Sequence, residues 1–255
     1  MGGSTRHEAH INRDSTLCTA RFRVPNNKRS APKEYVYPEH MSIFSKYPYI
    51  VIEGPIGSGK TTLARMLADK FPVDYLSEKA EANPFLPRFY QDAQRYGLPT
   101  QLFFLFQRAN QLKDLAQRDM FARPVVADFF LEKDPIFARL NLDDEEYALY
   151  HQIYQHLQLQ ASKPDLVIYL QTPVDALVER IEERSVSYEQ DIHREYLERL
   201  ANAYSEFFHN YDQSPVLIVN NEKLNILKTP TALELLLSRI SQIKGQREFF
   251  NPNFD

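Results

Sequence analysis

A glycine-rich stretch of eight residues restricts the fold of this chain more than any other feature. It runs from Gly54 to Thr61 and matches the pattern G-x-x-x-x-G-K-[ST]. A short apolar run at 49–52 precedes it, and a predicted helix from Lys60 to Lys70 follows it. Between a strand and a helix, this pattern forms a loop whose backbone N–H groups bind phosphate. The predicted phosphate-contacting residues are Gly54, Gly57, Ser58, Gly59, Lys60, Thr61 and Thr62.

Three residues around this loop have predicted chemical roles. Lys60 is expected to reach the β and γ phosphates of ATP, and the Thr61 hydroxyl to bind Mg²⁺. Asp128 directly follows a predicted strand at 125–127, a common position for a carboxylate that acts on Mg²⁺ or its waters. The sequence therefore predicts a bound nucleoside triphosphate with Mg²⁺, while GTPases, ATPases and kinases all remain open at this point. A kinase would take ATP and Mg²⁺ as its cofactors.

Short apolar runs alternate with helical patterns along the chain. The runs lie at 49–52, 73–76, 125–127, 166–170 and 216–219. Helices are predicted at 60–70, 84–96, 99–120, 143–161, 173–184, 192–211 and 231–244. This order predicts an α/β fold, a P-loop NTPase-type parallel sheet of about five strands with helices on both faces and a helical lid. Ligands of such sheets bind at the carboxyl ends of the strands.

The chain length of 255 residues predicts one folded domain. Residues 1–45 are expected to be a flexible leader because they lack a clear apolar period. The leader could be a regulatory tail, a non-native extension before Met41 or a weak organelle transit peptide. Acidic Glu8 and Asp14 count against a transit peptide, and the second interpretation is favoured because the folded pattern starts just after Met41. The predicted P-loop domain covers 46–245, and 246–255 are expected to form an irregular tail.

Composition argues against a nucleic-acid polymer or a membrane as the partner and against a secretory route. A net charge of −4 argues against a nucleic-acid polymer as the main partner, because such binders usually carry a basic face. Apolar runs are too short for a membrane span, so no membrane partner is expected. The single cysteine, Cys18, cannot form an intrachain disulfide and favours a cytoplasmic location.

Several polar residues after the second predicted strand could contact an acceptor. Glu78 lies where a carboxylate could take a proton from an acceptor hydroxyl, although a solvated loop acid is the alternative. Tyr90 and Gln101 lie on predicted helices that are rich in Phe, Tyr and Leu, where core packing is the default. Arg108 and Asp134 could form a plain structural ion pair.

The predicted helix at 173–184 ends in a run of alternating acids and arginines. Arg180 and Arg184 lie four residues apart and therefore share one helix face. This face could bind the transferring phosphates, although the same pattern describes an ordinary solvated helix. Glu189 follows shortly after and could be an ordinary loop acid.

These spaced blocks resemble the deoxynucleoside kinase family, particularly its bacterial deoxyadenosine/deoxyguanosine kinase branch, over about residues 49–211. The resemblance implies ATP-dependent phosphorylation of the 5′-hydroxyl of a deoxynucleoside, with deoxyadenosine favoured and deoxyguanosine or deoxycytidine as alternatives. It implies a base at Glu78, sugar 3′-hydroxyl contacts at Tyr90 and Glu189, nucleobase contacts at Gln101, Arg108 and Asp134, and phosphate contacts at Arg180 and Arg184. It also implies a homodimer formed by the predicted helices at 99–120 and 143–161.

Two positions depart from the family pattern. Phe129 stands where the family usually has an arginine straight after the strand-ending acid, and Val186 stands where a further lid arginine is expected. We hypothesise that Lys133 turns toward the phosphates and compensates, the alternative being a solvated lysine next to Glu132.

Two other functions fit parts of the pattern. A nucleoside monophosphate kinase of the thymidylate type would need extra cations for the acceptor phosphate, which the missing arginine disfavours. A nucleotide-binding protein without activity would be consistent with the missing arginines alone.

Overall fold

A computed structural model describes residues 38–118, 122–158, 161–186, 189, 191–222 and 230–252 of the chain. Its centre is one sheet of six strands, all paired in parallel, in the order β2-β3-β1-β4-β5-β6. The strands are β1 (Tyr49–Glu53), β2 (Asp74–Leu76), β3 (Val125–Ala127), β4 (Leu166–Gln171), β5 (Val216–Asn220) and β6 (Arg247–Phe250). The predicted parallel α/β sheet is confirmed, with one more strand than expected.

The helices cover both faces of this sheet. They are α1 (Ser42–Lys46), α2 (Lys60–Lys70), α3 (Leu86–Phe89), α4 (Ala93–Ala116), α5 (Asp134–Asn141), α6 (Asp144–Gln158), α7 (Val174–Arg184), α8 (Arg194–Asn210) and α9 (Pro230–Ser241). Short 3₁₀ turns lie at Pro38–His40, Ala80–Ala82 and Leu131–Lys133. One face packs on α1, α2 and α9, and the other on α4, α5, α6 and α8.

Strand β1 lies at the centre of the sheet and is buried on both faces. Ile50 pairs with Val126 of β3 on one side and with Leu166 of β4 on the other. Ile50 and Ile52 contribute to one apolar core and Val51 to the other. This two-sided burial explains why the segment is continuously apolar. It also places the loop after β1 at the point where the strand order reverses, where such sheets bind ligands.

The predicted helix boundary at Pro99 is wrong. Helix α4 begins at Ala93 and passes through Pro99. Asp92 is its N-cap and accepts a 3.1 Å hydrogen bond from the Arg95 backbone N–H, a stronger start signal than the proline. A Cβ on Gly97 would lie 2.9 Å from the Asn141 carbonyl oxygen, so this glycine permits close packing against α5. Met120, the predicted end of this helix, lies outside the described residues.

The predicted ends of the folded domain also need correction. Ile43 and Phe44 of α1 are buried in the core, so folded structure begins before residue 46. Residues 247–250, assigned to an irregular tail, form β6 beside β5, where Phe250 packs on the core. A four-residue strand with two charged residues carries too weak a pattern to be recognised without its partner strand. Residues 1–37 of the predicted leader lie outside the described residues.

No helix among the described residues is long and apolar enough to cross a membrane.

Candidate active site

A cavity of about 360 Å³ opens at the carboxyl ends of β1, β2 and β3. Lys60 and Thr61 border one end of it, and the helix α4 residues Gln101, Phe104 and Arg108 border the other. The cavity walls include most of the predicted site residues: Lys60, Thr61, Thr62, Glu78, Tyr90, Gln101, Arg108, Asp128, Arg184 and Glu189. Residues that are more than 120 positions apart in sequence therefore meet in one space.

The glycine-rich loop has the backbone shape that its sequence predicts. Gly57 and Gly59 adopt φ angles of 85° and 88°, which residues with a Cβ rarely tolerate. A Cβ on Gly54 would lie 2.6 Å from Ser58 Oγ, so a side chain there would block the turn. Helix α2 starts directly after Gly59, and its free N–H groups and dipole favour bound phosphate.

Asp128 connects three segments at the phosphate end of the cavity. Its Oδ2 accepts hydrogen bonds of 2.6 Å from both Thr61 Oγ1 and the Tyr75 hydroxyl. Its Oδ1 accepts a 2.8 Å hydrogen bond from the Glu78 backbone N–H. A hydroxyl and a carboxylate this close to the phosphate loop are the oxygen ligands that Mg²⁺ takes in nucleotide sites, so these residues fit the ion.

Glu78 lies between two cations in the centre of the cavity. It forms an ion pair with Arg108, whose Nε donates a 3.0 Å hydrogen bond to Glu78 Oε1. Lys133 Nζ lies 3.2 Å from the same oxygen. Burial alone would raise the pKa of Glu78, but Lys133, Arg108 and Lys60 outweigh burial and hold the pKa well below its usual value. Glu78 is therefore an oriented carboxylate that stays ionised at neutral pH.

Asp134 lies behind Arg108 rather than on the cavity wall. It is 1 % exposed and pairs with Arg108 through Oδ1, while Oδ2 has no hydrogen-bond partner among the described residues. Burial raises the pKa of Asp134 to about 7, although Arg108 and Lys133 lower it. The sequence prediction of an Arg108–Asp134 pair is confirmed as a contact, and its part in nucleobase recognition stays a prediction.

Tyr90 and Gln101 border the part of the cavity away from the phosphate loop. Gln101 is buried on α4 and still borders the cavity, together with the apolar rings of Phe89 and Phe104. Tyr90 follows α3 and lies at the junction with a second groove toward Tyr196. Their side chains therefore contribute both to packing and to the cavity wall, and the predicted contacts with a sugar and a nucleobase stay predictions.

The two predicted lid arginines have different surroundings. Arg184 borders the cavity and pairs with Glu189. Arg180 does not border the cavity and instead donates hydrogen bonds to the backbone carbonyls of Ser58, at 3.4 Å, and Asn221, at 3.0 Å. Arg180 therefore holds the phosphate loop through the Ser58 carbonyl, and its predicted phosphate contact stays a prediction.

Other residues of the site carried no recognisable sequence signal. Glu53, the last residue of β1, is fully buried and accepts hydrogen bonds from Gly54 N–H at 2.8 Å and the Tyr204 hydroxyl at 3.1 Å. Asn221 donates to the Ser58 carbonyl at 2.7 Å. A glutamate at the end of an apolar run and an asparagine after one are common, so only tertiary contacts distinguish these two.

The departure at Phe129 has a structural explanation. Phe129 is fully buried in the apolar core with Phe130 and does not border the cavity. Lys133 is 1 % exposed and does border it, between Glu53 and Glu78. A solvated Lys133, the alternative that the sequence allowed, is thus excluded.

Comparison with known proteins agrees with this geometry. The curated relatives include a deoxyguanosine kinase of Bacillus subtilis, 32% identical over 201 residues, which cover 77% of this chain and 97% of the relative. A deoxyadenosine kinase of Dictyostelium discoideum is 35% identical over 178 residues, covering 68% of this chain and 71% of the relative. A solved structure of deoxyadenosine kinase from M. mycoides with the products dCMP and a flexible dCDP bound matches with a TM-score of 0.67 and 28% identity, covering 76% of this chain and 99% of that one.

The family model for deoxynucleoside kinase matches residues 50–243, a range that contains the phosphate loop, Glu78, Asp128 and both lid arginines. The match extends across the sheet and the helices around the cavity and is not limited to the phosphate loop. The chain belongs to the deoxynucleoside kinase family.

Proposed function

We propose that this kinase prefers deoxyadenosine, with deoxyguanosine and deoxycytidine as weaker acceptors, and transfers the γ-phosphoryl group of ATP to the 5′-hydroxyl. The observation that carries the proposal is the position of Glu78 in one cavity between Lys60 and Thr61 at one end and Gln101 and Arg108 at the other. A nucleoside with its base against Gln101 would direct its 5′-hydroxyl toward Glu78 and the phosphate loop.

In the proposed reaction, the acceptor 5′-oxygen forms a new bond to Pγ while the bond from Pγ to the bridging oxygen of ATP breaks. ADP leaves with that electron pair, and the acceptor proton passes to Glu78. A carboxylate with a lowered pKa is a weak base, which suits a loose transition state in which the proton leaves late. Lys60 and Arg184 supply positive charge around the transferring group.

We also propose that Thr61 and Asp128 hold Mg²⁺. When bound, the ion neutralises charge on the phosphates of ATP. The support is the direct hydrogen bond between the two side chains at the edge of the phosphate loop, with Tyr75 fixing the carboxylate.

Base preference is proposed to depend on Gln101, Arg108 and Asp134. A glutamine amide offers a donor and an acceptor side by side, which matches an adenine edge. The free Oδ2 of Asp134 could accept from an exocyclic amine that reaches past Arg108. Thymine has no exocyclic amine, so thymidine should be a poor acceptor.

The test is ADP release measured with ATP and a panel of acceptors: the four deoxynucleosides, the matching ribonucleosides, and dTMP. The expected order is deoxyadenosine first and thymidine last. Equal turnover of thymidine would overturn the base assignment, and turnover of dTMP alone would favour the thymidylate-type reaction.

We propose a cytoplasmic location, because the single cysteine, Cys18, suits a reducing compartment.

We also propose that the protein forms a homodimer through α4 and α6. Phe106 on α4 and Leu149 on α6 are 47% and 49% exposed, and these helices contact each other in the protomer. Light scattering should give twice the 29.9 kDa chain mass, and Phe106→Glu with Leu149→Glu should give the monomer. A monomeric unaltered protein would contradict the proposal.

A further inference from the structure

Lys133 is a charged side chain buried in the wall of the catalytic cavity. It is 1 % exposed, and its Nζ lies 3.2 Å from Glu53 Oε2 and 3.2 Å from Glu78 Oε1. Burial works to lower the pKa of Lys133, but Glu53 and Glu78 outweigh it and hold the pKa above its usual value. The side chain is therefore a fixed positive charge next to the proposed base.

The chain turns in a way that brings this lysine back to the cavity. After Asp128, Phe129 and Phe130 enter the apolar core, where Phe130 lies 5.4 Å from the Tyr211 ring, centre to centre. The 3₁₀ turn Leu131–Lys133 then returns the backbone to the cavity at the start of α5. A side chain at position 129 therefore does not reach the cavity. Lys133, five positions after Asp128, supplies the positive charge there instead.

Glu53 holds Lys133 from beneath the phosphate loop. Its carboxylate is itself fixed, because Gly54 N–H and the Tyr204 hydroxyl donate to Oε1 and Lys133 pairs with Oε2. Burial raises the pKa of Glu53, and Lys133 opposes this effect. A buried charge without a partner is costly, and this pair partners both charges while it ties the end of β1 to the 3₁₀ turn before α5. The Tyr204 hydroxyl ties the same carboxylate to α8.

We propose that Lys133 is a catalytic residue that stabilises negative charge on the acceptor oxygen and the transferring phosphoryl group, and that Glu53 and Tyr204 are its positioning residues. The proposal rests on the proposed function of Glu78 as the base. As the acceptor proton passes to Glu78, that carboxylate becomes neutral and no longer balances Lys133. The positive charge then acts on the oxygen that forms the new bond to Pγ, while ADP leaves with the electrons of the broken bond.

The first experiment compares Lys133→Met with Lys244→Met, an exposed lysine outside the cavity wall. Both are assayed with ATP and deoxyadenosine after thermal melting has verified the fold. We expect kcat of Lys133→Met to fall by at least about tenfold, equal to about 1.4 kcal/mol of barrier. The KM for deoxyadenosine should change by less than about threefold, since a transition-state contact affects kcat more than substrate binding. The Lys244→Met control should match the unaltered enzyme.

A double variant separates a catalytic from a structural lysine. Lys133→Met alone leaves Glu53 buried without its cation and could unfold the protein for that reason. Glu53→Gln combined with Lys133→Met removes both charges and should restore folding but not kcat. If the double variant regains the unaltered rate, Lys133 only neutralises Glu53 and the proposal is wrong.

Tyr204→Phe tests the positioning role without changing any charge. It removes one hydrogen bond to Glu53, so we expect a several-fold loss of kcat with an unchanged KM. An unchanged kcat would overturn the assignment of Tyr204. The unaltered enzyme is the reference in each assay. If it phosphorylates no deoxynucleoside, the proposed function itself is contradicted. If it turns over normally and Lys133→Met is equally active, only this inference is contradicted.

Discussion

Thr61 Oγ1 donates a 2.6 Å hydrogen bond to Asp128 Oδ2, which joins the first turn after the phosphate loop to the end of β3. The two residues are 67 positions apart in sequence. The contact brings a hydroxyl and a carboxylate together where a divalent ion on the phosphates of ATP would lie.

Thr61→Val should raise the Mg²⁺ concentration needed for half-maximal rate by about tenfold, because it removes a ligand of the ion while keeping the side-chain shape. Thr61→Ser retains the hydroxyl and is the matched control. The measurement is initial rate against free Mg²⁺ at fixed ATP. An unchanged Mg²⁺ requirement in Thr61→Val would exclude Thr61 from the metal site.

Lys60→Ala should abolish turnover while leaving the protein folded, because this half-buried lysine of the phosphate loop contributes phosphate contacts and little packing. Thermal melting without ligand should be close to that of the unaltered chain. Lys70→Ala, at the other end of α2, is the control for loss of a lysine from the same helix. A variant with normal turnover would refute the phosphate-loop assignment.

Glu78→Gln keeps the shape of the side chain and removes its ability to take a proton. We expect kcat to fall by about 10² to 10⁴ with the KM for deoxyadenosine largely retained. Glu234→Gln, an exposed position on α9, is the matched control. If only the KM rises, Glu78 binds the substrate and is not the base.

The pH dependence of acceptor binding should report on Asp134. Burial raises the pKa of this carboxyl from its ordinary value of about 3.9 to about 7. It is therefore ionised at pH 8 and gains a proton as the pH falls, which replaces a charged acceptor for an exocyclic amine with a weaker neutral one. We expect the KM for deoxyadenosine to rise between pH 8 and pH 6, whereas Asp134→Ala, which has no acceptor, should give a high and nearly constant KM.

Asp114→Asn, an exposed position on the same helix as Arg108, should keep the unaltered profile. Because Glu78 has a lowered pKa, it stays ionised across this range and does not contribute to the profile. A KM that is constant with pH in the unaltered enzyme would remove Asp134 from nucleobase recognition.

Phe129→Arg restores the family's arginine in sequence but not in space. Phe129 is fully buried among aromatic side chains, so the guanidinium would enter the core without a partner. We expect the free energy of unfolding to fall by at least about 3 kcal/mol. Phe249→Arg, at a side chain that is 56% exposed on β6, should change it by less than about 0.5 kcal/mol. Denaturant unfolding measures both, and a stable, more active Phe129→Arg would show that the segment can turn toward the cavity.

The sequence by itself determined five of the six strands, the phosphate loop and the family. Local patterns suffice for these features, because a buried parallel strand is continuously apolar and the loop needs its glycines and lysine at fixed spacing. It also indicated which polar residues follow strands, and therefore that Glu78 and Asp128 lie near the phosphate loop.

Only the tertiary structure decided how charges are distributed around Glu78. The roles of Glu53, Lys133 and Tyr204 depend on contacts across as many as 151 positions, and no local pattern distinguishes a lysine in a 3₁₀ turn from a solvated one. The strand β6 depends in the same way on its partner β5. Burial and pairing are properties of the folded chain, because they arise from neighbours that folding brings together. The order of residues therefore could not predict that Phe129 is buried in the core and that Lys133 borders the cavity.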